Sequence, residues 1–439
     1  MRLLAFTRKA GRMETVFLIR DYRWRGCYFG FVMTGAGKDT LVKGKRSCTV
    51  LFFSAYFIYY AVYCVFSSFI VLFLTEQGYS ATVCGIITSL TFLANLLMEP
   101  VGGYITDTFL PTRRYLLVCI GIVSMVCAFC TKFMNQSWLL LPGLVLAAGL
   151  AYPFSQLMDA WVNLSKESYP GLIYSRIRAG GSIGFAVMSV IGGFYFKHWG
   201  WNRYFQMQIL LFLMMIPFLI LLPDTRLGNH RKKGEAEKSL SFVQAFQQLV
   251  KSRRFLFCLT ISTLYWFSHR PVGSFLSLII AERGGDAELF GNVCGIGAAV
   301  EFLSLLLLAY IGKKKTYPAL WGMAAALGTN LLRPICFQLF SGEWSLYLGQ
   351  ILQSVSFALY MSASVECFAE TSDERLKSFS ISIGLTISSV IGTVCANMAG
   401  GKLCDLFYPE FLILFSFLLG SMNLLFFILV FLKEGLDNK

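Results

Sequence analysis

Long apolar segments alternate with short polar segments along almost the whole chain after residue 47. Hydropathy predicts twelve such segments, each long enough to cross a bilayer as a helix of about 20 residues. They lie at 48–74, 81–106, 114–133, 138–164, 174–197 and 202–222, and then at 255–281, 288–311, 316–340, 344–369, 376–402 and 410–432. The polar stretch 223–254 separates the two sets. The pattern predicts an all-α membrane protein with twelve transmembrane helices in two six-helix bundles, 48–222 and 255–432, joined by a cytosolic central loop.

Composition supports a membrane protein and argues against a nucleic-acid partner. Of 439 residues, 56% are hydrophobic and only 14% are charged, whereas soluble domains are about 25% charged. The net charge of +14 is high, but the basic residues lie mostly in the loops between apolar segments. That distribution is typical of membrane topology rather than of a nucleic-acid-binding surface.

Lysine and arginine are concentrated in one of the two sets of loops. That set contains Arg113, Arg114, Lys166, residues 231–233, Lys251, Arg253, Arg254, residues 313–315, Arg375, Lys377 and Lys433. The other set of loops, which includes those at 75–79, 134–137 and 341–343, is nearly free of them. Because positively charged loops stay in the cytosol, we expect a multi-pass protein of the cell membrane with both termini, including the tail 433–439, in the cytosol.

Two segments outside the apolar pattern need their own interpretation. Residues 1–47 are basic, and their apolar run at 27–32 is too short for a signal-peptide core. We expect either a cytosolic N-terminal arm or an over-long start, with Met13 or Met33 as the first residue. In the central loop, apolar residues recur every four positions over 240–250 and predict an amphipathic surface helix. A plain linker helix is the alternative we favour.

The sequence carries no motif of a soluble active site. Gly-x-Gly-x-x-Gly, Walker and Gly-x-Ser-x-Gly motifs are absent, and the three histidines form no compact cluster with cysteines or carboxylates. The pair Cys127 and Cys130 lies inside an apolar segment, where small core side chains are commoner than a metal or redox pair. We therefore expect no catalytic residue, metal or cofactor.

Charged residues inside the apolar segments mark the candidate site. A charge in hydrocarbon costs at least ~2.5 kcal/mol, so such residues usually face a partner or a watery cavity. Asp159 and Arg178 lie near the same end of neighbouring segments and are expected at similar depth. Glu301 and Arg333 are expected to pair in the second half. For both pairs the alternative is a static ion pair that only joins helices.

Tyrosines and a histidine add candidates. Tyr56, Tyr59, Tyr60 and Tyr63 share one face of the first helix, and because their hydroxyls need partners we expect this face to point inward. It forms either a cavity wall for a ring-bearing solute or a plain packing surface. His269, in the seventh segment, is a candidate proton relay, although a hydrogen-bonded structural histidine is the alternative we favour.

A loop motif resembles a known transporter family. The sequence GGYITDTFLPTRR at 102–114 is similar to the loop motif of the major facilitator superfamily, G-x-x-x-D-x-x-G-x-R-[RK], with Leu110 or Pro111 at its middle glycine. The resemblance implies a gating latch at the bundle edge, with ordinary loop polarity as the alternative. The latch residues are Gly103, Asp107, Arg113 and Arg114.

A second motif narrows the resemblance to the lactose-permease-like branch, which includes oligosaccharide, nucleoside and phenylpropionate symporters. YSRIRAGGSIGF at 174–185 resembles its fifth-helix pattern Y-G-x-x-R-x-x-G-S-x-G, with Ser175 at the first glycine. The pattern is preceded by an acid on helix four, here Asp159. The resemblance implies that Asp159 and Arg178 contact the substrate and that Phe185 stacks on it.

The second half resembles the branch less closely. Glu301, in GAAVE, matches its G-x-x-x-E element, whose acid helps to bind substrate or protons, and Arg333 has a branch counterpart. Gln353 and Ser356 stand where galactoside carriers keep a histidine and a glutamate. That departure weakens the case for lactose-type proton coupling.

The sequence thus predicts a secondary active transporter that moves a small hydrophilic ring-bearing solute (a sugar, oligosaccharide or nucleoside) by alternating access, with a proton gradient as the expected driving force. The expected substrate-binding residues are Tyr56, Tyr60, Asp159, Arg178, Phe185, Glu301 and Arg333. The proton-coupling candidates are Asp159, Glu301 and His269. An aromatic carboxylate as substrate, or a carrier-fold sensor that moves nothing, are the alternatives. The expected partners are a small molecule, a proton and the lipid bilayer, with the protein as a monomer.

Overall fold

The computed structural model describes residues 45–437 except 170, 224–241, 313–318, 341 and 374–375. Within these residues every regular element is helical. The first half contains α1 (Lys45–Ser68), α2 (Ile70–Glu76), α3 (Ala81–Thr108), α4 (Thr112–Lys132), α5 (Ser137–Ala151), α6 (Phe154–Ser168), α7 (Tyr174–Trp199) and α8 (Tyr204–Leu221). After α9 (Phe242–Lys251) the second half contains α10 (Arg253–Ser274), α11 (Leu276–Glu282), α12 (Ala287–Gly312), α13 (Ala319–Leu339), α14 (Glu343–Ala369), α15 (Lys377–Leu406) and α16 (Phe411–Asp437). The expected N-terminal arm lies outside the described residues, except for the start of α1.

Each of the twelve predicted apolar segments corresponds to one helix or to two consecutive helices. Three segments are interrupted, between α1 and α2, between α5 and α6, and between α10 and α11. In the seventh segment α10 continues past Pro271 to Ser274, and the interruption is at Phe275. At the other end of the chain, α16 continues to Asp437, so most of the predicted tail is helical.

Two of the membrane helices are less apolar than the rest. Ten helical segments of the described chain are long and apolar enough by composition to cross a membrane, and α10 and α13 are not among them. These two carry His269 and Arg270 on α10, and Asn330 and Arg333 on α13. These polar residues lower the mean hydropathy of α10 and α13. The two helices with lower hydropathy therefore carry polar side chains into the interior of the second bundle.

The helices pack as two bundles that meet along two seams. In the first bundle α1 packs on α7 and α8, and α4 packs on α5 and α8. In the second bundle α13 packs on α14 and α16, and α10 packs on α15 and α16. The seams between the bundles are formed by α7 with α12 and by α3 with α15.

Both seams are tight near one face of the protein. We call the side on which α1 begins the terminal face and the other side the opposite face. Along the seams, Gly193 contacts Gly291, and Ser89 donates to the carbonyl of Val394. These residues lie in the parts of α3, α7, α12 and α15 that are nearer the opposite face. Small residues allow such close helix approach in membranes.

The hydrophobic core shows the same asymmetry. One buried cluster contains the first bundle together with second-bundle residues near the opposite face, among them Phe275 and Phe290. A separate cluster contains second-bundle residues nearer the terminal face, among them Phe255 and Phe368. The bundles are therefore packed together at the opposite face, whereas nearer the terminal face each has its own core.

The predicted amphipathic helix of the central loop is confirmed, since α9 covers 242–251. Its buried face differs from the one expected from four-residue spacing. Ala245 and Leu249 are buried, whereas Val250 is exposed. A four-residue repeat drifts around a helix of 3.6 residues per turn, so only part of that spacing faces the second bundle.

Candidate functional site

The tyrosine face of α1 points into the protein, as predicted. Tyr56 and Tyr59 are fully buried, and Tyr60 and Tyr63 are half-buried. The hydroxyl of Tyr59 donates to the backbone carbonyl of Tyr152 at 2.9 Å. Because this bond satisfies its hydroxyl, Tyr59 helps to hold α1 against the junction of α5 and α6.

Asp159 lies in the second turn of α6 and faces α1. The hydroxyl of Tyr56 donates to its Oδ1 at 2.5 Å. A hydrogen bond to a carboxylate is short and strong compared with one between neutral groups. Tyr56 therefore fixes the position of the Asp159 carboxylate, which remains only half-buried.

Arg178 lies in the second turn of α7, over a tyrosine ring. Its guanidinium carbon is 4.3 Å from the centroid of the Tyr60 ring. Gly181 makes this stack possible, because a Cβ there would lie 2.6 Å from Tyr60 Cδ2 and 2.9 Å from Arg178 Nη1. A guanidinium stacks well on an aromatic face and keeps its in-plane donors available.

Asp159 and Arg178 lie close enough for their charges to interact. This agrees with the similar membrane depth expected for them. Among the described residues, however, the ion pairs do not include this one. The two charges are connected through α1, with Tyr56 bound to the acid and Tyr60 under the base. The arrangement differs from the static ion pair considered as the alternative.

The expected pair of Glu301 with Arg333 is not formed. The charged neighbours of Glu301 are Arg178 and Arg270. Arg333 instead donates through Nη2 to Gln350 Oε1 at 3.0 Å. The reason is the packing order, because α14 packs against both α12 and α13. Its Gln350 binds Arg333 and lies against Gly297, one turn before Glu301 on α12.

Arg270 is a residue of this cluster that the sequence analysis missed. It lies on α10, with its guanidinium carbon 5.2 Å from the ring of Phe92 on α3 and 5.0 Å from the ring of Trp266. Its Nε is buried without a hydrogen-bond partner. Tyr63 and Glu301 are among its electrostatic neighbours. A charge inside an apolar segment was the signal that could have found it.

His269 is held inside the second bundle by both ring nitrogens. Nδ1 lies 3.1 Å from Asn330 Oδ1, and Nε2 lies 3.1 Å from the amide nitrogen of Gln353. Asn330 donates its own amide nitrogen to Ser268. These partners fit a neutral imidazole whose proton is on Nδ1, so that Nδ1 donates to Asn330 and Nε2 accepts from Gln353. The geometry agrees with the structural histidine we favoured, and the proton-relay role stays a prediction.

Phe185 lies beside the tyrosine face. This half-buried residue of α7 has its ring centroid 6.4 Å from that of Tyr63. It lies about two turns beyond Arg178 along the same helix. The stacking role implied by the resemblance stays a prediction, and the position of Phe185 next to the tyrosines is compatible with it.

The latch residues lie at the terminal face. Asp107 is exposed in the last turn of α3, and a Cβ on Gly103 would meet nothing within 4 Å. Arg113 donates to the carbonyls of Ile220 and Leu222 at the end of α8, each at 3.4 Å. Arg114 is exposed. The gating role stays a prediction, and the Arg113 bonds place that side chain within the first bundle.

Side chains from both bundles thus meet between α1, α3, α6, α7, α10 and α12. Asp159, Arg178, Arg270 and Glu301 each keep part of their surface accessible, so space remains between the bundles at this depth. Aromatic faces alternate there with groups that donate or accept hydrogen bonds. Among the described residues, no three histidine, cysteine or acidic side chains are grouped closely enough to hold a metal ion. The arrangement suits an organic solute with polar groups.

Solved structures of membrane transporters share this fold. The crystal structure of the nucleoside transporter NupG matches with a TM-score of 0.77 and 13% identity, over 88% of this chain and 99% of that chain. A bacterial homologue of the human lysosomal transporter Spinster, in an inward-facing and unoccupied conformation, matches with a TM-score of 0.63 and 14% identity, over 89% of this chain and 96% of that chain. The POT family transporter PepTSo matches with a TM-score of 0.64 and 13% identity, over 88% and 97% of the two chains.

Sequence comparison assigns the family. The uncharacterized transporter YwbF of Bacillus subtilis (strain 168) is 20% identical over 341 residues, which cover 75% of this chain and 80% of YwbF. Residues 51–415 match the model of the MFS_1-like family, the greater part of the chain. The chain therefore belongs to the MFS_1-like family, and it is a multi-pass membrane transporter of the major facilitator type rather than an enzyme.

Proposed function

We propose that this transporter moves a small hydrophilic ring-bearing solute, such as a sugar, an oligosaccharide or a nucleoside, by alternating access. The observation that carries the proposal is the cluster in which Tyr56 binds Asp159 and Arg178 stacks on Tyr60. The charges of the second bundle, Arg270 and Glu301, approach the same space. A polar cluster between two bundles is where carriers of this architecture bind substrate.

Each residue of the cluster has a binding role that fits its chemistry. Asp159 accepts hydrogen bonds from solute hydroxyls, and Arg178 donates a planar fork to vicinal oxygens. Tyr60 and Phe185 offer aromatic faces against which a ring packs. The similarity in fold to a nucleoside transporter supports the ring-bearing class.

Arg333 has a different role in this proposal. It is 2% exposed, and its guanidinium carbon lies 5.6 Å from the ring of Phe337. With its bond to Gln350 it joins α13 to α14. We propose that in this conformation Arg333 stabilises the packing of the second bundle, and that it contacts substrate only in another conformation of the bundles.

The asymmetry of the seams supports alternating access. The bundles are closed together at the opposite face, so the space between them opens towards the terminal face. With both termini in the cytosol, as the loop charges indicate, this conformation is open to the cytosol. Rocking of the bundles would close that side, where the motif containing Asp107 and Arg113 is placed to act as the latch.

For proton coupling we propose Glu301 as the first carrier. Among the described residues it has no hydrogen-bond partner, and its charged neighbours are Arg178 of the first bundle and Arg270 of the second. Neutralising it by protonation would release both arginines at once. Asp159 is the second candidate, although Tyr56 already occupies one of its oxygens, and His269 is the third, since both its nitrogens are occupied.

An aromatic carboxylate is the second candidate substrate. One specific observation favours it, namely that within the described chain three arginines, Arg178, Arg270 and Arg333, lie in or beside the cluster, which contains the two carboxylates of Asp159 and Glu301. An arginine fork binds a carboxylate through two parallel hydrogen bonds. The excess of arginine donors would be balanced by such a substrate.

The test is uptake into sealed proteoliposomes containing the purified protein. Labelled sugars, nucleosides and aromatic acids are offered with and without an inward proton gradient, to wild type, Arg178→Ala and Glu301→Gln. Arg176→Ala, which removes an exposed arginine from the same turn of α7, is the matched control. We expect gradient-driven uptake of one class that Arg178→Ala abolishes and Arg176→Ala retains. Uptake that is the same with and without the gradient would contradict proton coupling. Folded protein that takes up none of the compounds would favour the alternative of a carrier-fold sensor.

A further inference from the structure

We propose that Arg270 binds an anionic group, a carboxylate or a phosphate, on the transported solute and so selects anionic ring-bearing solutes. The inference rests on the transport function proposed above and specifies its substrate class. Arg270 is carried by α10 of the second bundle, yet it contacts Phe92 of α3 in the first bundle. A solute group bound there touches both bundles, which is what a carrier site between rocking bundles requires.

The first argument is the unused hydrogen-bonding capacity of Arg270. The rings of Phe92 and Trp266 lie 5.2 Å and 5.0 Å from its guanidinium carbon. Such contacts use the faces of the guanidinium, whereas its donors point along the edges. Nε is buried without a partner, and within the described chain no hydrogen bond or ion pair involves the other nitrogens of Arg270. A buried donor without a partner is costly, so an acceptor from the solute would satisfy it.

The second argument is the local charge balance. The groups that face Arg270 from the surrounding helices are Tyr63, Tyr152, Tyr265 and Glu301, of which only Glu301 is an acid. Glu301 also has Arg178 as a charged neighbour. Because Asp159 lies beside Arg178, two carboxylates serve the three arginines Arg178, Arg270 and Arg333 of the site. Because uncompensated charge within the membrane is unfavourable, the cluster binds an additional negative charge more readily than a neutral solute.

The third argument compares Arg270 with the other arginines of the site. Arg178 has the Asp159 carboxylate as a neighbour. Arg333 donates to Gln350 and is almost fully buried. Arg270 alone among these three combines partial exposure of the side chain with an Nε that is buried without a hydrogen-bond partner in the described residues. Its position beside Tyr63 also places a bound anion next to the tyrosine face, against which the ring of the same solute packs.

The experiment compares matched solute pairs in proteoliposomes. Uridine is compared with uridine 5′-monophosphate, and glucose with glucuronate, so that the two arms separate a phosphate from a carboxylate. The proteins are wild type, Arg270→Gln, Arg270→Lys and the exposed control Arg176→Gln. The KM of each member is measured, and uptake of the neutral member shows that each variant is folded and active.

We expect wild type to take up one anionic member with a KM lower than that of its neutral partner. Arg270→Gln should raise the KM of the anion about tenfold or more relative to that of its neutral partner, the scale of a hydrogen bond to a charged group. Arg270→Lys should fall between the two, because lysine keeps the charge but loses the planar fork. Arg176→Gln should leave both KM values unchanged.

Other outcomes separate the two proposals. This inference would be overturned if wild type transports the neutral members without preferring the anions and Arg270→Gln changes neither KM. The proposed transport function would not be affected by that result. A second pair of results would also overturn it. In that case Arg270→Gln transports nothing, whereas the double variant Arg270→Gln/Glu301→Gln transports both members with equal KM. Arg270 would then serve only as the counterion of Glu301. Folded wild type that transports no member of either pair would contradict the proposed transport function itself.

Discussion

The Asp405 carboxylate at the end of α15 accepts a hydrogen bond from the backbone N–H of Ala81, at the start of α3, at 2.9 Å. Its second oxygen accepts from the N–H of Thr82 at 2.8 Å. The two helices belong to different bundles, so a side chain of one bundle caps a helix of the other. A carboxylate is stabilised at a helix N-terminus by free N–H groups and by the helix dipole. This contact holds the α3–α15 seam closed at the opposite face.

Replacing Asp405 by asparagine should therefore favour opening of the opposite face. An anion at a helix N-terminus contributes about 0.3–1 kcal/mol, and up to about 2 kcal/mol when partly buried. The population of protein open on that side should rise several-fold. Spin labels at positions 138 and 344, which are exposed at the starts of α5 and α14, would report the change as longer distances in pulsed electron resonance.

The matched control is Asp373→Asn, which removes an exposed carboxylate near the end of α14 at the terminal face. The labelled proteins also need Cys395→Ser, because Cys395 is exposed. Asp373→Asn should leave the distance distribution unchanged. An Asp405→Asn distribution identical to that of the parent protein would show that the cap does not govern closure.

The α7–α12 seam is closed by charges instead. Lys197 lies 2.9 Å from Asp286 and 2.6 Å from Glu288, all at the opposite face. The pKa of Asp286 lies below its usual value, because Lys197 and the backbone N–H groups of Leu289 and Glu288 bind its ionised form. Asp286→Asn should open the same label pair less than Asp405→Asn does, because exposed ion pairs contribute little.

The pH dependence of this seam follows from the lowered pKa of Asp286. A lowered pKa means that the carboxylate contributes to closure above the usual aspartate value of about 3.9, and that this contribution is lost as the pH falls through the lowered value. The contribution of Asp286 to the label distance should therefore be constant between about pH 7 and pH 5. A difference between wild type and Asp286→Asn that disappears already near pH 6 would contradict this assignment.

Gly181 offers a test of the Arg178–Tyr60 stack that removes neither side chain. Gly181→Ala puts a methyl group 2.6 Å from Tyr60 Cδ2 and 2.9 Å from Arg178 Nη1, so one of the two must move. Overpacking of this kind costs about 1–3 kcal/mol. We expect the KM for the transported solute to rise about tenfold, with thermal unfolding lowered by only a few degrees. Gly121→Ala, where a Cβ meets nothing within 4 Å, should change neither quantity.

The membrane segments were predictable because the bilayer dictates their length. A span needs about 20 apolar residues, and that requirement is visible in the sequence without knowledge of any tertiary contact. The inward-facing tyrosines and the proximity of Asp159 to Arg178 were predictable for a similar reason, since polar groups in a membrane need partners.

Pairings across the fold were not predictable in the same way. Glu301 and Arg333 lie on consecutive spans, but α14 packs between them and supplies Gln350 instead. The cap of α3 by Asp405 joins residues more than 300 positions apart, and nothing local in either segment indicates it. Such contacts depend on which helices become neighbours, which hydropathy does not specify.

The final prediction concerns the hydroxyl that holds Asp159. Tyr56→Phe keeps the ring but removes the donor that lies 2.5 Å from Oδ1. Hydrogen bonds to charged groups contribute about 1.5–3 kcal/mol, and the freed carboxylate no longer has a fixed position for solute hydroxyls. We expect the KM to rise about tenfold or more at unchanged expression. Tyr59→Phe removes a hydroxyl that donates to the backbone carbonyl of Tyr152, so it should lower thermal stability and leave the KM within about twofold of wild type. Equal KM changes in the two variants would mean that the tyrosine face acts through packing alone, and that Asp159 does not need the Tyr56 hydroxyl to bind the solute.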